Sequence, residues 1–409
     1  MSGIQTSDLE GPRNMHQNLS EPEGSLIERL LDPYDDIRYE AQSELVALRG
    51  ADARNALDEL QKYLDLQYAE NQTMSSETLG NRRRLYWIML TAAERSQQFP
   101  PSLFVRIPGL STDILPICGG ISSNIYLGQY KSATVAVRQI RSHSVQSLPR
   151  MRLFYECLKW RQLRHPNIVP LFGIDVTFSR YPGLIQPWYK NDHIRSYISK
   201  LPTKPSSEQL NQWLTEIASG MTYLHSWAIW HGDLRGNNVF IDDEGVAKVS
   251  DIVLAPFREE WTAVQKPYSQ VQRWLAPEIF VSPQWDATTA GDVYAFGCMA
   301  IELYTGEVPP FPAAMQGNAA PYAKYPDGDL PPRPENMPDD IWNLTRTCWH
   351  LDPRERLPMF RIVQILTGDP QCIYSPADIA AKAEAAIESR QSLADIYIEL
   401  YRGIPGLVL

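Results

Sequence analysis

The chain has 409 residues, of which 44% are hydrophobic and 10% aromatic, so it is long enough for two or three folded units and too apolar for a disordered protein. Its formal net charge of −10 argues against a general binder of nucleic acid or of anionic membranes. The five cysteines show no metal-ligand spacing, and the first residues lack the apolar core of a signal peptide. The longest apolar stretch (residues 293–304) is interrupted by Glu302. We therefore expect a soluble cytoplasmic protein without a membrane span.

The N-terminal part of the chain is predicted to be helical. Residues 1–24 are polar and are predicted to be disordered. Residues 25–98 are predicted to form an accessory helical region, because Ser25 and Glu28 have the spacing of a capping box and apolar residues then recur at helical intervals. The segment 32–41 resembles a helical-repeat unit, but a solenoid needs about three such units. We favour a bundle that packs on, or is tethered to, the rest of the chain and that could also receive a helical partner protein.

Residues 112–367 pass from strand-like to helical patterns. Apolar, strand-like runs cover residues 124–128, 134–138, 168–172 and 183–188, and helical patterns cover residues 153–163, 210–225, 291–305, 339–349 and 359–366. This order predicts an α+β fold with a β-rich N-terminal lobe and a helical C-terminal lobe.

Residues 368–409 are predicted to form a C-terminal helical tail. Ser375, Pro376 and Asp378 combine an N-cap serine, a proline at the first helical position and an acid three residues after the cap. The helix is expected to run to Tyr401, and its apolar face favours docking on the helical lobe over docking on a partner.

The stretch from Trp230 to Val253 carries the residues with chemical potential. It sets Asp233, Asn238 and Asp251 on a loop–strand–turn–strand frame. Phosphoryl transfer needs a carboxylate that orients and deprotonates a hydroxyl group, and it needs oxygen ligands for the magnesium ion that bridges the phosphates. These three side chains supply both.

Further motifs stand at matching distances along the chain. They are Arg164–Val169 after a predicted helix, Gln186–Tyr189, Ala276–Glu278 and Asp292–Gly297. Together with the central stretch they resemble the protein kinase superfamily, most closely its tyrosine-kinase-like group and in particular fungal members with an N-terminal helical region. The resemblance implies a bilobal kinase fold over about residues 112–367, in which Arg356 pairs with Glu278.

The resemblance also implies a role for each site residue. Asp233 would accept or orient the proton of the substrate hydroxyl. Asn238 and Asp251 would hold Mg²⁺, and Glu156 would fix the cation that binds the phosphates. The ATP site would be lined by Ile117, Gly119, Gly120, Ile125, Ala136, Arg138, Gln186, Trp188 and Phe240. Arg235 stands where serine/threonine kinases usually carry lysine, yet its triplet also occurs in tyrosine kinases, so the acceptor hydroxyl stays open.

Two departures from the family pattern lie at the nucleotide phosphates. The glycine-rich loop keeps only Gly120 in register, with Gly119 as an extra glycine. Arg138 replaces the lysine that binds the α- and β-phosphates. This arginine would either bind phosphate or serve only as a structural partner of Glu156.

Two more departures concern the loops around the site. Ile252 and Val253 replace phenylalanine and glycine in the metal-binding turn, which predicts a turn locked in one conformer. Gly232 replaces the arginine that receives the activation-loop phosphate. Activity is therefore not expected to depend on phosphorylation of Thr262, Tyr268 or Ser269.

Three functions are compatible with these residues. The first is a weak Mg-ATP-dependent protein kinase that acts on a protein substrate, supported by the retained oxygen ligands. The second is a pseudokinase that regulates or scaffolds a client protein without catalysis, supported by Arg138 and the altered glycine loop. A scaffold built only on the N-terminal helices is disfavoured, because it would not require the metal ligands.

Overall fold

The computed structural model describes residues 24–70, 76–110, 115–119, 123–140, 150–179, 181–252, 273–276, 278–281, 288–307, 331–372 and 374–385. The segment predicted to be disordered lies outside these ranges except for Gly24, and so do residues 386–409 of the predicted tail. In the part of the chain that is described, no helix combines the length and the apolar character needed to cross a membrane.

Four helices precede the sheet, as the sequence predicts. They are α1 (Leu26–Leu30), α2 (Asp35–Ala47), α3 (Gly50–Glu70) and α4 (Ser76–Ser96). The capping box at the start of α1 is confirmed, because the Glu28 N–H donates to Ser25 Oγ at 3.2 Å and the Ser25 N–H donates to Glu28 Oε2 at 2.7 Å. Side chains of α3 and α4 form a fully buried core that includes Leu57, Leu60, Leu64, Leu85 and Met89.

This helical bundle packs directly on the rest of the molecule. Gln61 of α3 and Gln162, which follows α5 (Arg150–Arg161), exchange buried amide hydrogen bonds of 2.5 and 3.3 Å. Tyr86 of α4 meets Trp227 edge-on just after α7 (Ser207–Ser226), with the ring centroids 4.9 Å apart. The bundle therefore contacts one helix of each lobe and is packed rather than merely tethered.

A five-stranded antiparallel sheet forms the first lobe. Its strands are β1 (Cys118–Gly119), β2 (Ser123–Tyr130), β3 (Ala133–Ile140), β4 (Gly173–Asp175) and β5 (Gly183–Pro187), in the order β1-β2-β3-β5-β4. The apolar run 168–172 precedes β4 and does not form a strand of this sheet. Pro170 in that run has no N–H to donate to a strand ladder.

Helices dominate the second lobe, which confirms the predicted bilobal arrangement. The described helices are α6 (Ile194–Lys200), α7, α8 (Glu278–Val281), α9 (Thr289–Thr305), α10 (Asp339–Thr347), α11 (Met359–Thr367) and α12 (residues 376–385). This lobe also contains a two-stranded sheet of β6 (Val239–Ile241) and β7 (Ala247–Val249). Helix α9 is the centre of the lobe, since it is buried from Gly291 to Leu303.

Two local predictions are confirmed in this lobe. Arg356 binds Glu278 through both terminal guanidinium nitrogens, at 2.6 and 2.8 Å. At the start of α12 the Asp378 N–H donates to Ser375 Oγ at 3.2 Å, and the Ser375 N–H donates to Asp378 Oδ2 at 2.8 Å. Ile379 is buried on the same helix, so the described part of the tail docks on the helical lobe.

Candidate active site

His231 connects the loop that carries Asp233 with the turn that carries Asp251. Its Nδ1 accepts the Asp233 N–H at 3.0 Å, and its Nε2 lies 2.6 Å from the Ser250 carbonyl oxygen, which can only accept. These contacts select the neutral imidazole with its proton on Nε2. The fully buried ring therefore joins the loop of Asp233 to the turn of Asp251.

Asn238 makes a second connection between the same two segments. Its side-chain Nδ2 donates to the Asp233 backbone carbonyl at 2.7 Å, and the Asn238 backbone carbonyl accepts the Ser250 N–H at 2.8 Å. Asp251 follows with a φ of +65°, a left-handed conformation that aspartate tolerates better than most residues. The structure thus brings Asp233, Asn238 and Asp251 to the same end of the β6–β7 hairpin.

Asp292, near the start of α9, anchors the loop that carries Asp233. It is buried, and it accepts the N–H groups of His231 and Gly232 at 2.8 Å each. His225 Nε2 lies 2.9 Å from the same carboxylate. In the sequence, Asp292 stands out only as part of a helix-start motif, which does not predict this role. The usable signal is an acid among the apolar residues of a buried helix.

Glu302, near the other end of α9, anchors the loop at a second point. It accepts the Gly236 N–H at 2.9 Å and lies 3.2 Å from Arg195 Nε. Burial raises the pKa of Glu302, and the Gly236 N–H, Arg195 and Trp274 oppose this effect. A Cβ atom at Gly236 would lie 2.6 Å from Arg195 Cγ, so the loop passes too close to its anchors for any larger residue.

Arg138 takes a different partner from the one that we expected. Its Nη1 contacts Asp251 Oδ1, and its Nε donates to Ser123 Oγ at 3.2 Å. Glu156 instead pairs with Lys159, three residues further along α5, at 2.9 Å. The structure therefore does not show the pairing of Arg138 with Glu156, which is one of the two roles that the sequence leaves open for this arginine. Residues at this spacing meet on one face of a helix, so Glu156 gains a partner without α5 having to approach β3.

Most of the nucleotide-lining candidates fall on one face of the sheet. The register pairs Ile125 with Arg138 and Ala136 with Gln186, and side chains two residues apart in a strand share a face. Trp188 directly follows β5, and its N–H donates to the Thr134 carbonyl at 3.2 Å. At the edge of the sheet the Ile117 N–H donates to the Ile125 carbonyl at 2.9 Å, and Gly119 pairs with Asn124.

The other candidates lie in or next to the β6–β7 hairpin, or outside the described residues. Phe240 pairs with Lys248 in the hairpin, and its ring centroid is 6.2 Å from that of Tyr189, beside the expected hinge. Ile252 is buried in the same core as Trp160 and Leu171. The predictions for Gly120, Val253, Thr262, Tyr268 and Ser269 fall on residues that the structure does not describe.

One contact across the rear of the cleft was not signalled by any motif. Gln186, at the expected gatekeeper position, donates from Nε2 to Ser250 Oγ at 3.2 Å. Ser250 directly precedes Asp251, so this contact joins the sheet of the first lobe to the metal-binding turn. A hydrogen bond between residues so distant in sequence cannot be read from local spacing.

The donor set suits a hard divalent cation in part. Asn238 uses its amide nitrogen for the bond to Asp233, which leaves Oδ1 as a ligand, and Asp251 keeps Oδ2 while Arg138 holds Oδ1. Within the described ranges no group of three or more His, Cys, Asp or Glu side chains is arranged to hold a metal ion. Magnesium bound here would rely on these two oxygens, with phosphate oxygens and water as its remaining ligands.

Comparisons with known proteins agree with this architecture. The model of the family described as "Protein tyrosine and serine/threonine kinase" matches residues 116–366, more than half of the chain. Serine/threonine/tyrosine-protein kinase HT1 of Arabidopsis thaliana is 27% identical over 327 residues, which cover 77% of this chain and 82% of that protein. Human tyrosine-protein kinase RYK is 28% identical over 246 residues, which cover 58% of this chain and 40% of that protein. Mitogen-activated protein kinase kinase kinase 12 of Rattus norvegicus is 26% identical over 275 residues, which cover 67% of this chain and 29% of that protein. The chain thus spans less than half the length of the last two relatives.

Proposed function

Since this chain belongs to the family of protein tyrosine and serine/threonine kinases, we propose that it binds ATP and slowly transfers the γ-phosphoryl group to a hydroxyl group of a protein. The acceptor would be serine, threonine or tyrosine of a cytoplasmic protein substrate. Mg²⁺, held by Asn238 and Asp251, would supply charge stabilisation at the phosphates.

The observation that carries this proposal is the bonding around Asn238. Its contacts to the Asp233 carbonyl and the Ser250 N–H, at 2.7 and 2.8 Å, fix the base and the metal-binding turn relative to each other. Phosphoryl transfer depends mainly on such positioning and on charge stabilisation, because the protein itself does little covalent chemistry.

Asp233 is the proposed base. Its carboxylate lies 3.0 Å from Arg235 Nε, and the two anchors on α9 hold its loop at Gly232 and Gly236. In this proposal Asp233 accepts the proton of the substrate hydroxyl as the hydroxyl oxygen attacks the γ-phosphorus and the bond from that phosphorus to the departing ADP breaks. Arg235 then offers positive charge close to the transferred group, where negative charge is spread over the phosphoryl oxygens.

A low rate is expected because Arg138, the cation at the phosphate site, is not held by Glu156 and contacts the aspartate that would also hold the metal ion. Arg138 contacts Asp251, and Glu156 contacts Lys159, so the pair that would normally hold the α- and β-phosphates is not assembled. Loss of such a clamp removes about 3 kcal/mol of transition-state stabilisation, which lowers the rate roughly a hundredfold.

The test is phosphate transfer from γ-labelled ATP to a generic protein substrate by the full chain in MgCl2. We expect slow transfer that Asp233→Asn reduces by about a hundredfold or more, since the general base is lost. Asp243→Asn is the matched control, because that aspartate lies in the β6–β7 turn with 59% of its side chain exposed. Transfer that is equal in all three proteins would refute Asp233 as the base.

A pseudokinase is the second candidate, and the contact of Arg138 with Asp251 favours it. In that case the chain would bind nucleotide and a client protein without transferring phosphate. ATP binding with no transfer by the wild-type protein would select this function over the first.

A further inference from the structure

We infer that the Arg138 guanidinium is the resident cation of the phosphate site, so that ATP binds to this protein without a divalent metal ion. The inference rests on the proposed function, because it concerns the same cleft. It separates two properties that usually occur together in this family, since ATP binding would not require Mg²⁺ whereas efficient transfer would.

The first ground is the position of the guanidinium. Arg138 contacts the carboxylate of Asp251, which is the side chain expected to hold the metal, and only 17% and 6% of the two side chains are exposed. Its second contact, from Nε to Ser123 Oγ at 3.2 Å, reaches the strand that follows the glycine loop. The guanidinium thus lies between Asp251 and the start of β2.

The second ground is the number of donors that remain. Arginine carries five N–H groups, and the contacts to Asp251 and Ser123 use two of them. Among the described residues, three have no other hydrogen-bond partner and are left for the oxygens of a polyphosphate, which is the kind of ligand that a planar guanidinium binds well. Arginine also keeps its charge at every physiological pH, so this cation is permanent.

The third ground is the charge balance of the cleft. Each of the two acids expected to face the triphosphate has its own arginine, since Asp251 contacts Arg138 and Asp233 lies 3.0 Å from Arg235. An unpaired carboxylate at this place would repel the phosphates and would call for a metal ion between them. With both acids paired, ATP meets no unbalanced negative charge from them.

A metal ion would therefore have to compete for Asp251. Mg²⁺ prefers carboxylate oxygens and near-octahedral geometry, and one of the two oxygens of Asp251 is already engaged. Mg²⁺ thus gains less at this site than at a free carboxylate, and its contribution to ATP affinity is correspondingly small.

The test is the dissociation constant of ATP for the full chain, measured by calorimetry in EDTA and again in MgCl2. We expect the two wild-type constants to agree within about threefold. Arg138→Lys keeps the charge but replaces the long planar guanidinium by a shorter point donor, so that Asp251 is released for the metal ion. We expect ATP binding by this variant to be about tenfold or more tighter in MgCl2 than in EDTA. Arg138→Met should bind ATP in EDTA about tenfold or more weakly than the wild type. Arg84→Met, at an exposed position of α4, is the matched control and should behave as the wild type.

The outcomes separate the two proposals. Wild-type binding that appears only in MgCl2 would overturn the inference and leave the proposed function intact. Absence of ATP binding under both conditions, in wild-type protein shown to be folded by its urea unfolding curve, would overturn both. If Arg138→Met fails to fold, the comparison of wild type with Arg138→Lys decides the matter, and an Arg138→Lys variant as indifferent to metal as the wild type would contradict the role of Arg138.

Discussion

Asp292 is the residue whose replacement tests the architecture of the site most sharply. Asp292→Asn preserves the shape of the side chain and removes its charge. The carboxylate accepts N–H groups from His231 and Gly232 at 2.8 Å each and lies 2.9 Å from His225 Nε2. Asparagine has one acceptor oxygen, so its NH₂ group would face at least one of these donors.

The expected magnitude follows from those contacts. Hydrogen bonds to a charged group contribute about 1.5–3 kcal/mol each, so loss of one or two of them should lower the free energy of unfolding by about 3 kcal/mol. The loop of Asp233 would also lose its fixed position. We therefore expect phosphate transfer to fall by about tenfold or more under conditions in which the variant is folded.

The assay is urea unfolding followed by the transfer measurement, with Asp243→Asn as the control. Among the described residues, the Asp243 carboxylate makes one ion pair, a surface contact of 3.7 Å with Lys190. The control should therefore have the same free energy of unfolding as the wild type. If Asp292→Asn unfolds within about 0.5 kcal/mol of the wild type, Asp292 does not anchor the loop of Asp233.

Three further predictions concern stability. Arg356→Met should lower the free energy of unfolding by about 3–5 kcal/mol, because Glu278 keeps a partly buried charge without its partner. A loss below about 1 kcal/mol in urea unfolding would contradict this. Tyr86→Phe should leave stability unchanged or raise it by about 1 kcal/mol, because among the described residues the buried hydroxyl has no hydrogen-bond partner, and a clear loss would show that it has one. Burial lowers the pKa of His165 to about 4 from 6.5, so the unfolded chain binds this proton first and stability should fall as the pH drops from 6.5 towards 4. His165→Phe should flatten that decline, and an unaltered pH profile would remove His165 as its source.

Features set within one helical turn could be predicted from the sequence alone. The caps formed by Ser25 with Glu28 and by Ser375 with Asp378 depend only on residue type at a spacing of three, and both are present. The alternation from strand-like to helical patterns likewise predicts the two lobes. The Arg356–Glu278 pair needed the family resemblance, since no local rule joins residues so far apart.

Contacts that depend on competition in three dimensions could not be predicted in this way. The motif identifies Glu156 correctly as a helix position, but whether its carboxylate meets Arg138 or Lys159 depends on the separation of α5 from β3. The contact of Arg138 with Asp251 joins residues 113 positions apart, so no local spacing predicts it. The packing of Tyr86 on Trp227 has no sequence signal either, because the two residues belong to different structural units.

The most direct measurement is a crystal structure of the full chain with ATP, grown in EDTA. We expect the Arg138 guanidinium to contact both the Asp251 carboxylate and a phosphate oxygen, with Asn238 still bonded to the Asp233 carbonyl. An Arg138 that has turned to Glu156, or a nucleotide whose phosphates lie away from Asp251, would contradict the central claim that Arg138 is the cation of the phosphate site.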